Sequence, residues 1–507
     1  MSFVRNLILV GGGTGSSRIL GFGRDMLMAA ALGAGPVADA FFVAFRLPNL
    51  FRRIFAEGAF NSAFVPLFAR RLEGEGRDEA RQFATDAMSG LAFVLLVLTI
   101  LAELAMPLVM YVLAPGFADD PEKFELSILL TRICFPYLLL VSLVALFSGL
   151  LNALGRFAVA AFAPTLLNMV FIAVLLFILW TGREETASAG IWLSWAVFAG
   201  GILQLAVLFF AARHQGMGLR LVRPRLTPGV KRLVALAVPG VLAGGITQIN
   251  IVVGTMIASM APQAVSYLYY ADRIYQLPLG LVGVAIGVVL LPELARRLRA
   301  GDEGAAMHQQ NRALEFALAL TVPAAAALAV VPETIIEGLF ARGAFTQADA
   351  QATAGALAAF ALGLPAFVLI KVFQPGFFAR EDTRTPMWFA GVNAAINIVL
   401  SLALFSAFAH VGIAIATSVA GWANAIALGI VLRRRGGLAF DARLVSRIAR
   451  LLAVTAVMAG VLYAAEVVLR PVLIDLAFGR ALLLVAVVTA GLVAYVGLAF
   501  STGVLDA

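Results

Sequence analysis

The most informative residues of this chain are arginines that lie inside apolar sequence. They are Arg18, Arg24, Arg46, Arg52, Arg53 and Arg273. A guanidinium group stays charged and binds a phosphate through two parallel hydrogen bonds. Placing an arginine at the middle of a bilayer costs about 2.5–3.5 kcal/mol on insertion scales. These residues therefore predict a water-filled cavity inside a membrane protein, and the positive charge of that cavity predicts an anionic ligand.

The composition of the chain is that of a membrane protein. It has 507 residues, of which 62% are hydrophobic and 13% are charged, and its mean hydropathy is +0.97. Soluble domains carry about 25% charged residues. The net charge of +8 does not indicate nucleic-acid binding, because the basic residues lie in alternate short loops between apolar segments. We therefore expect a membrane location and no nucleic-acid partner.

Few residues are suited to metal binding or catalysis. The chain has one cysteine, Cys134, and three separate histidines, His214, His308 and His410. Metal sites and acid–base catalysis need several such groups, or converging carboxylates, close together. No such cluster appears in the sequence, so we expect no cofactor, no metal site and no enzymatic activity. Of the classes of function considered, binding and transport of a ligand remain.

Fourteen apolar segments are long enough to cross a membrane, which takes about 20 residues in a helix. These spans cover residues 5–32, 37–69, 83–113, 126–152, 159–181, 189–212, 232–259, 263–295, 312–337, 350–378, 386–407, 410–433, 446–468 and 477–501. The loops between them are short, so little of the chain lies outside the membrane. We expect an all-α polytopic membrane protein.

The loops between the spans alternate in charge. The second loop contains Arg70, Arg71, Arg77 and Arg81, whereas the seventh, around Ala261, has no basic residue. The sixth, eighth and twelfth loops are also basic. Loops rich in lysine and arginine stay in the cytoplasm. The even-numbered loops and both termini are therefore predicted to be cytoplasmic.

Two parts of the sequence resemble each other. Residues 65–74 match residues 291–300, which lie 226 positions later, at a proline and at a shared Ala-Arg-Arg-Leu. A weaker match aligns Pro136, Gly149 and Asn168 with Pro365, Gly376 and Asn397. The repeat covers six spans, an even number, so both copies have the same orientation and predict a ligand site at their interface. We expect two parallel six-helix lobes, residues 1–220 and 221–440, around a central cavity, and two further helices in 441–507.

The first span contains six glycines together with Arg18 and Arg24. Glycine allows close helix packing, and it allows bending where polar groups such as Ser17 replace backbone hydrogen bonds. Packing alone does not explain Arg18 and Arg24 in one segment. Arg24 has Asp25 beside it as a partner, and Arg18 has the alternative of extending to the membrane surface. We predict that Ser17, Arg18 and Arg24 line the cavity.

The second span carries polar residues on one side of a helix. At 100° per residue, Asp39 and Arg53 fall on one stripe, and Asn49 lies within about 60° of it. Arg53 has an i,i+4 partner in Glu57, whereas Arg52 points about 100° away. One of the two adjacent arginines is expected to form a structural pair and the other to bind the ligand. Asp39, Asn49 and Arg53 are expected to support the cavity.

The eighth span contains Asp272 and Arg273 after three tyrosines, Tyr267, Tyr269 and Tyr270. Adjacent helix residues do not face each other, so we expect the aspartate and the arginine each to reach another element. The tyrosines fit an aromatic belt at the membrane surface better than a surface for stacking sugars. We predict Arg273 as a ligand-binding residue and Asp272 as its support.

These segments resemble the MurJ (MviN) family of bacterial lipid II flippases, within the multidrug/oligosaccharidyl-lipid/polysaccharide exporter superfamily. The resemblance rests on residues 17–25, 38–41, 45–49, 52–60 and 270–273. It extends over essentially the whole chain, including the fourteen spans. It implies alternating access that carries lipid II, an anionic polyprenyl pyrophosphate glycolipid, from the inner to the outer leaflet of the bacterial cytoplasmic (inner) membrane. It also implies that the last two helices line a groove for the lipid tail.

The resemblance also implies which residues bind the substrate. The family's functional cavity arginines match Arg18, Arg24, Arg52 and Arg273, with Ser17 and Asp39 beside them. Where some members have an acidic residue shortly after the last of these arginines, this chain has Gln276. We expect a monomer whose partners are lipid II, the membrane and other proteins of cell-wall synthesis.

Two other functions are compatible with a polytopic membrane protein. An exporter of the same superfamily would move drugs or another polyprenyl-linked oligosaccharide, but cationic drugs favour acidic cavities and the deep charges here are mainly basic. A membrane scaffold without transport would tolerate the loss of those charges. Replacing the cavity arginines therefore distinguishes the alternatives.

Overall fold

The computed structural model of the chain describes residues 3–54, 60–476 and 478–505. Within these ranges the following side chains are not described: 3–8, 51, 53–54, 241–244, 246–247, 281, 284–285 and 287–289. Arg53 and Glu57 are affected, so the prediction of an Arg53–Glu57 pair lies outside the described residues.

The described residues form seventeen α-helices in chain order. They are α1 (Phe3–Leu32), α2 (Pro36–Ile54), α3 (Phe60–Gly74), α4 (Arg77–Leu104), α5 (Met106–Leu113), α6 (Pro121–Cys134), α7 (Tyr137–Ala153), α8 (Phe157–Thr181), α9 (Ala187–His214), α10 (Pro228–Ser259), α11 (Ala264–Arg299), α12 (Glu303–Val330), α13 (Pro332–Phe340), α14 (Gln347–Phe378), α15 (Arg384–Arg434), α16 (Ala442–Leu473) and α17 (Gly479–Ser501). A short 3₁₀ helix, Pro115–Asp119, lies between α5 and α6.

The helices coincide with the spans predicted from the sequence, and the all-α membrane fold is confirmed. Among the described residues, nine helical stretches are long and apolar enough to cross a membrane. One of them, α15, contains two of the predicted spans. The third, fourth and ninth predicted spans are each divided into two helices, and the second is covered by α2 and α3. Residues 55–59 of the second span lie outside the described residues.

Single residues mark several of these divisions. Pro136 separates α6 from α7, because proline lacks the N–H that would continue the helical hydrogen bonds. Ala409 separates the two halves of α15 with φ 46° and ψ −129°, a conformation that a residue with a Cβ rarely adopts. Asp120 and Asp441 begin α6 and α16 as N-caps that accept hydrogen bonds from the backbone N–H three residues later.

The chain forms two compact units. The first contains residues 1–265 and 342–345, and the second contains 266–341 and 346–507. In the first unit α10 packs against α2, α3 and α4, and in the second α16 packs against α12 and α17 against α13. The lobe bounds inferred from the repeat stay a prediction.

Each unit has an apolar core of its own. In the first, Phe64 stacks on Phe83 with ring centroids 5.8 Å apart, among buried residues of α3, α4 and α7. In the second, Val282 and Ile286 of α11 are buried with Phe373 of α14 and residues of α12 and α15. The second core includes α11, the helix that carries Asp272 and Arg273.

Loops of the first unit meet at one end, in what we call the odd-loop cluster (residues 30–39, 116–123, 185, 259–263 and 343–344). Ala344 N–H donates to the Ala30 carbonyl at 2.9 Å, and Glu185 N–H donates to the Ala31 carbonyl at 3.0 Å. Gly343, at φ +57°, lies so close that a Cβ would be 2.4 Å from the Ala30 oxygen, so only glycine fits. Five loops that the sequence separates widely are joined here.

Candidate functional site

Helix α1 packs against α8 through small residues. A Cβ at Gly13 would lie 2.9 Å from backbone atoms of Ala161, and one at Gly21 would lie 3.5 Å from Asn168 Nδ2. Ser17, midway between the two glycines, accepts a hydrogen bond at its backbone carbonyl from Asn168 Nδ2 at 3.0 Å. The four-residue spacing puts these three positions of α1 on one face, the small-residue pattern of close helix pairs in membranes.

The remaining glycines of α1 have a different environment. Among the described residues, no atom lies within 4 Å of a Cβ built on Gly11, Gly12, Gly15 or Gly23. Arg18 is exposed, and at 100° per residue it falls on the same side as Gly11 and Gly15, away from α8. Close packing therefore explains two of the six glycines, and Arg18 lies on the open side.

Arg24 is buried at the contact between α1 and α8. Its Nη2 and Nε donate to Asp25 Oδ1 at 2.7 and 3.1 Å, and its Nη1 donates to Asn168 Oδ1 at 3.0 Å. The guanidinium also lies 5.3 Å from the ring centroid of Phe171. A buried charge needs such pairing, since an uncompensated one is strongly unfavourable. The adjacent aspartate suspected from the sequence is a partner of Arg24.

Asn168 is a site residue that the sequence did not identify, apart from its place in the repeat. It is buried, and it bonds both Ser17 and Arg24. An asparagine within the apolar helix α8 was the available signal, because polar residues in membrane helices commonly hydrogen-bond across to a neighbour.

Asp39 lies in the odd-loop cluster. It is fully buried, its Oδ2 is 2.6 Å from Lys123 Nζ, and it accepts a hydrogen bond from the Gln263 backbone N–H at 3.1 Å. Lys123 Nζ is also 4.0 Å from the ring centroid of Phe117. In this structure Asp39 is thus a structural ion-pair residue, and its role beside a cavity stays a prediction.

Farther along α2, three polar residues are held by neighbours. Arg46 Nη1 hydrogen-bonds Thr255 Oγ1 of α10, a fully buried hydroxyl. Arg52 Nε donates to Asn49 Oδ1 at 3.2 Å, one turn earlier. Asn49 therefore orients Arg52, a contact that the helical stripe did not predict, since Asn49 lies near the side of Asp39 and Arg53.

In the second unit, Arg273 lies along its own helix. Its guanidinium carbon is 4.7 Å from the ring centroid of Tyr269, and its Nη2 donates to the Tyr269 hydroxyl at 3.1 Å. Asp272 accepts a hydrogen bond from Gln276. These contacts join residues four positions apart within α11, and the expectation that Asp272 and Arg273 each reach another element stays a prediction.

Two of the three tyrosines expected to form an aromatic belt do not face lipid, which corrects the expectation from the sequence for Tyr267 and Tyr270. Tyr267 and Tyr270 are buried, with the Tyr267 hydroxyl donating to Asp349 at 3.0 Å and the Tyr270 ring 5.2 Å from that of Phe340. Their spacing does not reveal this, because belt tyrosines and buried tyrosines have the same local sequence.

The site residues thus divide between the units: Arg18, Arg24 and Arg52 belong to the first and Arg273 to the second. In the described part of the chain there is no group of three histidine, cysteine, aspartate or glutamate residues arranged to hold a metal. The arrangement offers guanidinium groups, one exposed and the others held by amide, phenol or carboxylate groups. Such groups suit an anion with phosphate oxygens.

The helical fold matches a class of membrane exporters. It resembles an inward-facing multidrug resistance MATE family transporter of the MOP superfamily, with a TM-score of 0.68 and 14% identity, covering 83% of this chain and 94% of that one. That likeness concerns the fold alone. A solved lipid II flippase MurJ in an inward closed conformation is more similar, with a TM-score of 0.79 and 25% identity, covering 97% of this chain and 98% of that one.

The sequence comparisons define the family. The family model described as "Lipid II flippase MurJ" matches residues 28–482. A probable lipid II flippase MurJ of Rhizobium meliloti (strain 1021) is 52% identical over 506 residues, 99% of this chain and 94% of that one. One of Rhizobium tropici is 53% identical over 463 residues, 91% of this chain and 87% of that one. The chain belongs to the MurJ family of lipid II flippases.

Proposed function

We propose that this protein translocates lipid II, the undecaprenyl-pyrophosphate-linked peptidoglycan precursor, from the inner to the outer leaflet of the cytoplasmic membrane. Membership of the MurJ family supports the substrate and the membrane. The observation that carries the proposal to these residues is Arg24, a guanidinium kept inside an apolar helix pair where packing alone does not need it. Transport by alternating access leaves the substrate chemically unchanged, so no catalytic group is required.

The pyrophosphate is the part of the substrate that the arginines recognise. In this proposal it is bound by Arg18, Arg24, Arg52 and Arg273. Asn49 and Tyr269 hold two of these guanidinium groups in place by hydrogen bonds of 3.2 and 3.1 Å. Arg24 changes partner, so that phosphate oxygens take the position that Asp25 Oδ1 occupies.

Further polar residues support the arginines in this proposal. They are Ser17, Asp39, Asn49, Arg53 and Asp272. Ser17 and Arg24 share Asn168 as a partner. The position of α1 along α8 therefore fixes where the Arg24 guanidinium lies along the helix axis. Because Arg24, Asn168 and Ser17 are joined, a movement of α1 changes all three contacts together.

The orientation follows from the charges of the loops. Both termini and the basic even-numbered loops lie in the cytoplasm, and the odd-loop cluster then faces the opposite side. The protein acts as a monomer beside other proteins of cell-wall synthesis, and the lipid tail lies along α16 and α17. The membrane potential is a suitable energy source, since moving one charge through 100 mV is worth about 2.3 kcal/mol.

The test is complementation in cells depleted of their own lipid II flippase. Variants Arg18→Ala, Arg24→Ala, Arg52→Ala and Arg273→Ala should fail to restore growth and outer-leaflet lipid II. Arg220→Ala, which removes an exposed arginine outside the apolar helices, is the matched control and should restore both. Normal transport by well-expressed cavity variants would refute the arginine mechanism and favour a scaffold role.

A second assay tests the substrate. In proteoliposomes, the wild type should move lipid II and should move neutral undecaprenol-linked glycans far less, because the pyrophosphate supplies the charge. Transport of a cationic dye without transport of lipid II would favour the drug-exporter alternative instead. Lysine replacements narrow the mechanism further, since retained activity would mean that charge suffices without bidentate geometry.

A further inference from the structure

Lys371 is a charged residue of α14 that the proposed function does not use. Helix α14 is long and apolar enough to cross a membrane. The neighbours Ile370 and Val372 are buried, 6% and 0% exposed, whereas Lys371 itself is exposed. It lies seven residues before the helix end at Phe378, which is about 10 Å along the axis. An amine at this depth needs water or an anionic partner.

The contacts of α14 with α11 show where Lys371 lies. Tyr275 of α11 packs between two rings of α14, 5.5 Å from Phe360 and 6.1 Å from Phe367. Eight residues farther along α11, a Cβ at Gly283 would be 3.8 Å from Lys371 Cγ. The two helices therefore run parallel in this region, and the lysine stem lies against the backbone of α11 at a position without a side chain.

Gly283 belongs to a particular face of α11. Tyr269, Arg273, Gln276, Gly280 and Gly283 follow one another at spacings of four, three, four and three residues. This spacing places them on one stripe of a helix. The stripe carries Arg273 near one end and meets Lys371 about 15 Å farther on, ten residues at 1.5 Å each. It runs from Arg273 toward the even-numbered loop after α11.

We propose that the amine of Lys371 binds the phosphate groups of the substrate on their way to Arg273, as a contact on the cytoplasmic side of that arginine. This rests on the proposed function, since it assumes an anionic lipid substrate and cytoplasmic even-numbered loops. An ammonium is a compact, hydrated point charge that holds a phosphate without fixed bidentate geometry. Such a group suits a transient contact, whereas the Arg273 guanidinium suits a defined one.

A structural alternative exists for this residue. A lysine near the end of a membrane helix commonly extends its amine to the lipid headgroups while its stem covers apolar surface. In that case the amine would be accessible to water with or without substrate. Protection by the substrate therefore separates the two roles.

The chain allows a direct measurement, because it contains only three lysines, Lys123, Lys231 and Lys371. A water-soluble amine reagent applied to the full-length protein in nanodiscs, followed by mass spectrometry, reports each one. Lys231 is exposed at the start of α10 and should react under all conditions, whereas Lys123, buried with Asp39, should stay unreactive. Lys371 should react in the free protein and become protected by undecaprenyl pyrophosphate, but not by undecaprenol.

Variants give the second readout. Lys371→Ala should weaken binding of undecaprenyl pyrophosphate about ten-fold, Lys371→Arg should retain it, and Lys231→Ala should leave it unchanged. Equal labelling of Lys371 with and without the pyrophosphate lipid would overturn the proposal, as would no labelling of the free protein. If Arg273→Ala abolishes binding and Lys371→Ala does not, the Lys371 proposal fails while the proposed function stands. If the wild type does not bind this lipid, the proposed function fails.

Discussion

Two buried carboxylates of the first unit, Asp25 and Asp39, each pair with a cation, but the two pairs are built differently. Asp25 pairs with the adjacent residue Arg24 at 2.7 Å, and the guanidinium reaches α8 through a neutral asparagine. Asp39 pairs with Lys123, 84 positions away, at 2.6 Å, and also accepts from the Gln263 N–H of a third segment. The first pair is local, whereas the second joins distant parts of the fold.

This difference indicates what each pair can do. An anionic ligand can replace Asp25 on Arg24 without separating any helices, because both residues belong to α1. Replacing Asp39 on Lys123 would separate α2 from α6 and from the loop after α10. The local pair is therefore suited to ligand exchange, and the long-range pair is suited to stabilising one arrangement of the odd-loop cluster. The following predictions test this contrast, from the largest effect to the smallest.

The largest effect is expected at Lys123. Lys123→Met removes the ammonium that lies 2.6 Å from the buried Asp39 carboxylate, and breaking a buried pair in this way costs about 3–5 kcal/mol of stability. The melting temperature of the detergent-solubilised protein should fall clearly. Arg81→Ala is the control, since it removes an exposed pair with Asp78, 2.9 Å apart, that is worth at most about 1 kcal/mol. Equal melting of the two variants would contradict a stabilising role, and partial recovery in Asp39→Asn/Lys123→Met would support it.

A smaller effect on stability, and a larger one on binding, is expected at Asn168. Asn168→Leu removes the bonds to Arg24 and Ser17, so the guanidinium loses its defined position and affinity for undecaprenyl pyrophosphate should fall about ten-fold. Asn152→Leu, at an exposed asparagine near the end of α7, should bind normally. Unchanged affinity in Asn168→Leu, measured by titration in nanodiscs, would mean that Arg24 keeps its position without Asn168.

The α1–α8 contact gives a third comparison. Gly13→Ala places a Cβ 2.9 Å from the backbone of Ala161 and should push the helices apart, lowering both the melting temperature and the affinity for the lipid. At Gly12 the Cβ has open space, so Gly12→Ala should be neutral or stabilising by up to about 1 kcal/mol through helix propensity. If Gly12→Ala were the more damaging variant, the open side of α1 would be the functionally packed one.

The smallest effect on stability is expected at the ion pair between Asp382 and Arg435. Hydrogen bonds from the Thr385 side chain and backbone, and the charge of Arg435, lower the pKa of Asp382 to about 2 from 3.8. A depressed pKa adds stability above the unfolded value, and that stability is lost as the pH falls through the folded value. The difference in melting temperature between wild type and Asp382→Asn should therefore be small and constant from pH 7 to pH 5. A strong dependence in that interval would indicate a different titrating group.

Much of the candidate site could be predicted from the sequence because charge and hydropathy are local properties. An arginine in an apolar segment, such as Arg18 or Arg24, stands out without knowledge of its neighbours. Asn168 and Lys123 did not stand out as partners, since an asparagine inside a membrane helix and a lysine near a helix start have many possible roles. Two tyrosines of α11 were misinterpreted for the same reason, because burial depends on which helix lies opposite.

The sequence by itself determined the spans, the alternating charge of the loops, the family motifs and the set of deep arginines. Each of these depends on a run of neighbouring residues and on the cost of placing charge in lipid. Only the tertiary structure decided that Arg24 bonds Asn168, that Asp39 bonds Lys123, and that Lys371 lies against Gly283. Those contacts join residues far apart in the chain, and packing selects one partner from many that are chemically acceptable.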